Sequence, residues 1–243
     1  MIRIGTAGWS VPTPLRERFP PAGPILQRYA AVFDGVEINS SFYRPHKPET
    51  YARWAASTPE DFRFAVKTPK TITHVRRLVD AAEPLGRFLD ETEALGVRRG
   101  PVLIQLPPSL RFDPAVADSF LDGLRVRYEG EAVVEPRHAS WFTAEADALL
   151  VRWRIARVAA DPALSDAAGA PGGWSGLQYW RLHGSPRIYA TAYGRERLET
   201  VAARLVDPAW VVFDNTMFGA AADDALILQA ILRGAAPDAK LSG

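Results

Sequence analysis

Cysteine is absent from the 243 residues. This removes disulfides, thiolate nucleophiles and Cys-ligated zinc from consideration and fits a reducing compartment. Excess charge is equally scarce: 29 Lys and Arg against 28 Asp and Glu leave a net charge of +1. Nothing global therefore calls for nucleic acid or an anionic membrane, and any anion preference has to be local. No run of about 18 apolar residues occurs. The opening MIRIGTAGW reads as a strand where a secretory signal would need a basic region and a longer apolar stretch, so the expected setting is cytoplasmic with no membrane span. HxH, HExxH, Asp/His-cluster and P-loop patterns are also missing. A divalent metal would have to be gathered by the scattered Glu37, Glu135, His183 and Asp214, a weak signal, and no cofactor is expected. GTAGWS from Gly5 lacks the third glycine of a dinucleotide fingerprint and runs into Val11 and Pro12 rather than a helix, which discounts that motif too.

What the chain does have is alternation. It is 47% hydrophobic, and its apolar runs fall at 2–7, 35–39, 62–67, 101–106, 132–135, 155–160, 177–183 and 210–214. Their starts lie roughly 22–39 residues apart, the length of a strand, a helix and two loops. Helical patterns occupy the gaps at 24–33, 48–56, 85–95, a segment opened by Asp113 and Pro114, 143–153, 195–205 and 223–232. The stretch 161–176 reads as loop, so the sixth helix is short or missing. Eight strands alternating with helices, undivided by any linker, predict an α/β fold: a single (β/α)8 TIM-type barrel domain over 1–243.

In a barrel the C-terminal strand ends carry the active site. Those ends supply Trp9; Glu37 and Asn39; Lys67; Gln105; Glu135, Arg137 and His138; Asp161; Arg181 and His183; and Asp214 with Asn215. The plainest case is AVVEPRHASW from Ala132, a buried run that breaks into acid, base and imidazole. Period-two alternation puts Glu37 with Asn39, Glu135 with Arg137, and Arg181 with His183 on shared faces.

GTAGW, ENSSFY from Glu37, FAVKTP around Lys67 with His74 beyond it, QLPPS from Gln105, EPRHASW, RLHG from Arg181 and DNT from Asp214 together resemble the family called domain of unknown function 72, or YecE-like. The motifs run in order over nearly the whole chain. The resemblance implies a TIM-type barrel of unestablished activity, whose members commonly carry Asn where Asp214 stands.

Roles follow from residue chemistry. Glu37 and Glu135 form a natural acid/base pair if their surroundings separate their pKa values, or each is neutralised by an arginine. Arg137 and Arg181 fit a bidentate fork on phosphate or carboxylate, with Lys67 assisting, or pair with those same glutamates. Lys67 is an electrostatic anchor, an imine-forming amine or a plain ion-pair partner. His183 and His138 are proton carriers or hydrogen-bonded barrel histidines. Trp9, Phe42, Tyr43, Trp141 and Tyr189 wall a pocket or simply pack. The long connection 68–84 is expected to turn His74 toward the mouth.

The favoured reading is an enzyme of hydrolase, lyase or isomerase type on a small or nucleotide-sized anion. The competing readings are a nucleic-acid-binding or endonuclease-like barrel, using Arg44, Lys47, Arg76, Arg77, Arg98 and Arg99 around the mouth, and a non-catalytic ligand binder. No motif specifies an oligomeric state.

Overall fold

A computed structural model describes residues 1–234; the last nine residues of the expected 1–243 domain lie outside the described residues. The order is mixed α/β. Strands β1 (Ile2–Thr6), β2 (Gly35–Ile38), β3 (Arg63–Lys67), β4 (Arg99–Gln105) and β5 (Ala132–Glu135) are followed by the paired short strands β6 (Ile155–Arg157) and β7 (Ala159–Asp161). Then come β8 (Gly172–Gly173), β9 (Gln178–Leu182) and β10 (Ala209–Phe213). Helices α1 (Ile25–Ala30), α2 (Pro48–Ala56), α3 (Ala82–Glu93), α4 (Pro114–Arg127), α5 (Ala144–Arg152), α6 (Arg195–Ala202) and α7 (Ala220–Leu232) fill the connections. Two expected caps are in place: the Asp113 carboxylate accepts from the N–H groups of Ala115 and Val116, and the Thr143 hydroxyl accepts from Ala146 N–H.

One sheet runs β1-β10-β9-β7 and the other β2-β3-β4-β5-β6-β8, with all pairings parallel except β6 with β8. The sheets meet on both sides. On one side a single parallel bridge joins Ala7 to Glu37, and Gly8 N–H donates to Glu37 O at 2.9 Å. On the other, β6 and β7 are halves of one strand broken at Val158, the first half pairing with β5 and the second with β9. The expected strand at 155–160 thus changes partner midway. Between β7 and β9 the described chain forms only turns and β8, with no intervening helix. None of the described helices is long and apolar enough to cross a membrane.

Strand alternation sorts the core into two parts. Ile4, Val36, Phe64, Val102, Val134, Val211 and Phe213 face the helices, with Phe88, Leu121, Leu150 and Leu228 on the other side. The opposite strand face carries a separate apolar layer of Ala65, Leu103, Val133, Ala156, Tyr179, Trp210 and Val212. Trp210 closes its lower end: a Cβ on Gly35 or Gly100 would stand 2.9 Å from the Trp210 ring, so both positions need hydrogen there. Two residues further along each strand on that second face come Lys67, Gln105, Glu135, Arg181 and Asp214. The apolar layer is the floor on which the polar cluster stands.

Candidate functional site

Because β2, β3, β4, β5, β9 and β10 run parallel, their C-terminal ends bring side chains distant in sequence to one place. At its centre is Arg181, wholly buried. Its Nε and Nη2 hold the two oxygens of Glu37 at 3.0 and 2.7 Å, Nη1 donates to Glu135 Oε2 at 2.7 Å, and Nη2 donates also to Asp214 Oδ2 at 3.0 Å. The Tyr179 hydroxyl adds a hydrogen bond to Glu37 Oε2 at 3.0 Å. Glu135 receives Gln105 Nε2 at 3.0 Å and Arg137 Nη2 at 2.6 Å. The ring of His183 spans the cluster, with Nδ1 3.0 Å from Asp214 Oδ2 and Nε2 2.9 Å from Glu135 Oε1 and 2.8 Å from Arg137 Nη2.

Burial alone would raise the Glu135 carboxyl, but the charges of Arg181, Arg137 and His183 hold it well below the ordinary carboxylate range. For Asp214 burial is likewise overcome, by Arg181 first and then His183 and Lys67, and its pKa is lowered. Burial opposes the charge on Arg181 too, yet Glu135, Glu37 and Asp214 raise its pKa.

This geometry corrects several expectations. Four of the five Arg181 N–H donors are taken by carboxylates, so Arg181 is a counter-ion and not an anion ligand. Glu37 accepts three hydrogen bonds and Glu135 four, counting His183 and Arg137, and both are fully buried, which leaves no approach for acid/base work. The four residues considered for a divalent metal do converge, but the Arg181 guanidinium occupies the centre of their donor set. Trp141 is in the core, its indole N–H donating to Leu110 O and its ring edge-on to Phe112, because the 3-10 turn Ala139–Trp141 carries it to the helix side. His138 caps that same turn by accepting from Ser140 N–H. Asn215 falls on the opposite face from Asp214 and donates to Thr191 O and Asp224 Oδ2. Tyr43 is exposed, edge-on to Phe42, and Trp9 packs edge-on to Trp54. Asp161 pairs with Arg197 away from the cluster.

The supposed basic ring also divides. Arg98 and Arg99 stand at the beginning of β4, so a seven-residue strand separates them from Gln105, about 20 Å by the rise per residue. There they bind backbone carbonyls, Arg98 those of Thr58 and Pro59 and Arg99 that of Leu89.

A few polar atoms at the mouth remain uncommitted. Lys67 is buried with its Nζ 4.3 Å from the centroid of the Phe42 ring; its backbone carbonyl accepts from the Ser41 hydroxyl at 2.6 Å, but among the described residues its ammonium forms no ion pair or hydrogen bond. Burial, reinforced by Arg181, brings its pKa down to about 8 against the pull of Glu37, Glu135 and Asp214. The His74 ring packs edge-on to the same Phe42 at 4.9 Å, its Nδ1 2.9 Å from the Thr73 hydroxyl so that only Nε2 is uncommitted, and burial followed by the charge of Lys67 lowers its pKa. It is delivered by a π-helical turn, Thr71–Val75, which no periodicity in the sequence announces. Arg137 Nε and Asn39 Oδ1 are buried without partners. Tyr189, half-exposed, stands edge-on to His183 at 6.0 Å. Sequence reasoning missed Tyr179, although the alternation in QYWRL puts it on the face of Arg181. A groove of about 1040 Å³ lies elsewhere, beside Trp180, Arg197 and Arg204. Size does not make it the site: Arg197 is paired with Asp161 and Arg204 lies over Trp180.

The family model for the protein of unknown function DUF72 matches residues 3–242. The chain belongs to the DUF72 family. It is 36% identical to UPF0759 protein YecE of Escherichia coli (strain K12) over 144 residues, covering 58% of this chain and 50% of YecE. The matched region thus spans about half the length of that curated relative. A DUF72 family protein of Thermotoga maritima, TM1631, is 28% identical with a TM-score of 0.79, covering 96% of this chain and 99% of that one. SacUVDE shares the fold at 10% identity, with a TM-score of 0.61 and 96% and 99% coverage.

Proposed function

We propose that the two sheets close into one eight-stranded (β/α)8 barrel domain, and that this DUF72 barrel is a cytoplasmic enzyme for a small anionic substrate held at its mouth by Lys67 and Arg137. The observation that carries the reading is the contrast between two buried cations. Arg181 is saturated by three carboxylates, whereas the Lys67 ammonium feels the same carboxylates without any of them in ion-pair contact. A buried charge without a partner is costly, and a bound anion relieves that cost. Arg137 offers its unpartnered Nε, and Asn39 an acceptor for a substrate hydroxyl. Lys67, brought down to about 8, can give up its proton near neutral pH, and burial and the Lys67 charge favour the neutral His74 imidazole, which can accept one. The network around Arg181 then serves as a rigid floor that fixes Arg137 through Glu135 and His183.

Phosphate or sulfate is expected to stabilise the protein. At ten times Kd the gain is about 1.4 kcal/mol, or roughly 3–6 °C in melting temperature for a domain of this size. Lys67→Met is expected to melt no lower than wild type, since it removes a desolvated charge, and to lose the anion response. A response that persists in Lys67→Met, or a melting temperature indifferent to both anions, contradicts the reading. Tight duplex DNA binding with a steep salt slope would favour nucleic acid instead, a reading weakened by the placement of Arg98 and Arg99 at the far end.

A further inference from the structure

We infer that Lys67 is a covalent catalytic residue: its Nζ condenses with the carbonyl carbon of an anionic aldehyde or oxo acid to form an imine. The inference rests on the anion site proposed above and names its substrate class. Composition makes the choice of lysine informative. The chain has only four lysines, at positions 47, 67, 70 and 240, among 29 basic residues. Lys47 and Lys70 are exposed, Lys67 is buried, and Lys240 lies outside the described residues. Among the described residues arginine fills the other buried cationic positions, Arg157 and Arg181. As a static anchor for an anion, arginine's planar fork would serve better. A primary amine does what a guanidinium cannot, which is to lose its proton and attack carbon.

The surroundings suit that step. Phe42 shields Nζ from one side at 4.3 Å. Among the described residues, the cluster supplies most of the charge acting on it: Arg181 disfavours its proton, while Glu37, Glu135 and Asp214, turned toward Arg181, favour it less than burial opposes it. His74 faces the amine from the loop after β3 and shares Phe42 with it. In the reaction the nitrogen lone pair forms a C–N bond as the carbonyl π pair moves to oxygen. The oxygen takes up a proton and the nitrogen gives one up, yielding a carbinolamine. A second proton on the oxygen lets it leave as water while the C=N bond forms, giving the protonated imine. The net change is amine plus carbonyl plus one proton to iminium plus water, with no oxidant or reductant. His74 is placed to carry these protons, and Arg137 Nε to hold the anionic group.

Glyoxylate, acetaldehyde and sodium cyanoborohydride supply the test. Folded protein is incubated at pH 7.5 with each aldehyde and the reductant, and the adducts are located by peptide mass spectrometry. The expected result is a single glyoxylate adduct on Lys67, formed at least tenfold faster than on Lys47 or Lys70, slowed by phosphate and absent from Lys67→Arg. Acetaldehyde, which lacks the anionic group, should favour Lys67 only for its readily deprotonated amine, by a smaller margin than glyoxylate and without competition from phosphate. Adducts on Lys47 and Lys70 with Lys67 unmodified, in protein still stabilised by phosphate, overturn the imine and leave the anion site standing. An adduct on Lys67 unaffected by phosphate supports the imine and overturns the anion site. Absence of both overturns both.

Discussion

Arg181→Met is expected to lower unfolding stability by about 3–5 kcal/mol at pH 8, because it strips the shared counter-charge from buried carboxylates. Glu37, Glu135 and Asp214 lie 2.7, 2.7 and 3.0 Å from the guanidinium, and methionine offers none of them a donor. The pH dependence gives the loss a signature. In the wild type Glu135 and Asp214 titrate below their unfolded values. Their contribution is therefore complete above about pH 4–5 and disappears as the pH falls through the folded-state values. Without Arg181, burial is opposed only by Arg137, His183 and Lys67. The folded-state values rise, and acidification from pH 8 to 5 is expected to recover stability in the variant while the wild type changes little. Urea unfolding at the two pH values measures both slopes. Equal stability of the two proteins at pH 8, or a gap that widens on acidification, would show that the guanidinium is not the counter-ion described. Arg181→Lys is expected to recover only part of the loss, since one ammonium cannot replace a fork that reaches three carboxylates.

Gly5→Ala is the second large effect, about 3 kcal/mol or more of destabilisation. It probes the seam between β1 and β2. A Cβ at Gly5 would stand 2.1 Å from Gly35 O and 2.8 Å from Gly35 C, both backbone atoms that move only if the strands separate. Gly123→Ala gives the opposite sign. This helical position in α4 has open space where the Cβ would go, so alanine's better helix propensity should add about 0.5–1 kcal/mol. Equilibrium unfolding of both variants distinguishes a crowded seam from a general intolerance of larger residues. If Gly5→Ala is neutral, β1 and β2 do not approach as described. The clash also explains why GTAGW resembles a nucleotide loop without being one: its first glycine serves strand packing, and its second, Gly8, has φ +80° in the turn that follows.

Parity along strands was the legible part of the candidate site. Alternation alone groups Glu135 with Arg137 and Arg181 with His183, and the structure joins all four through hydrogen bonds. The same rule, applied to QYWRL and DNT, selects Tyr179 and separates Asp214 from Asn215. Partner choice was not legible, because it is tertiary: Arg181 meets Glu37 across 144 positions of sequence, and nothing local says whether a fork is filled by protein or by ligand. Strand polarity was legible but is lost when cations are grouped by residue type, which is how Arg98 and Arg99 come to be counted with Arg76 and Arg77. The break at Val158 and the π-helical turn under His74 leave no mark on hydrophobic periodicity, since one is a change of pairing partner and the other a single irregular turn.

The claim on which the functional account rests is that Lys67 is a buried, unpaired amine awaiting an anion. With lysine so rare, protein labelled with 15N at lysine Nζ and 13C at Cε gives a spectrum simple enough to follow each side chain through a pH titration, in the absence and presence of phosphate. The account predicts one resonance, lost in Lys67→Arg, that titrates near 8 and moves upward when phosphate is bound, because a neighbouring anion favours the charged form. A Lys67 resonance titrating near the ordinary lysine value of about 10.4 and indifferent to phosphate would contradict it.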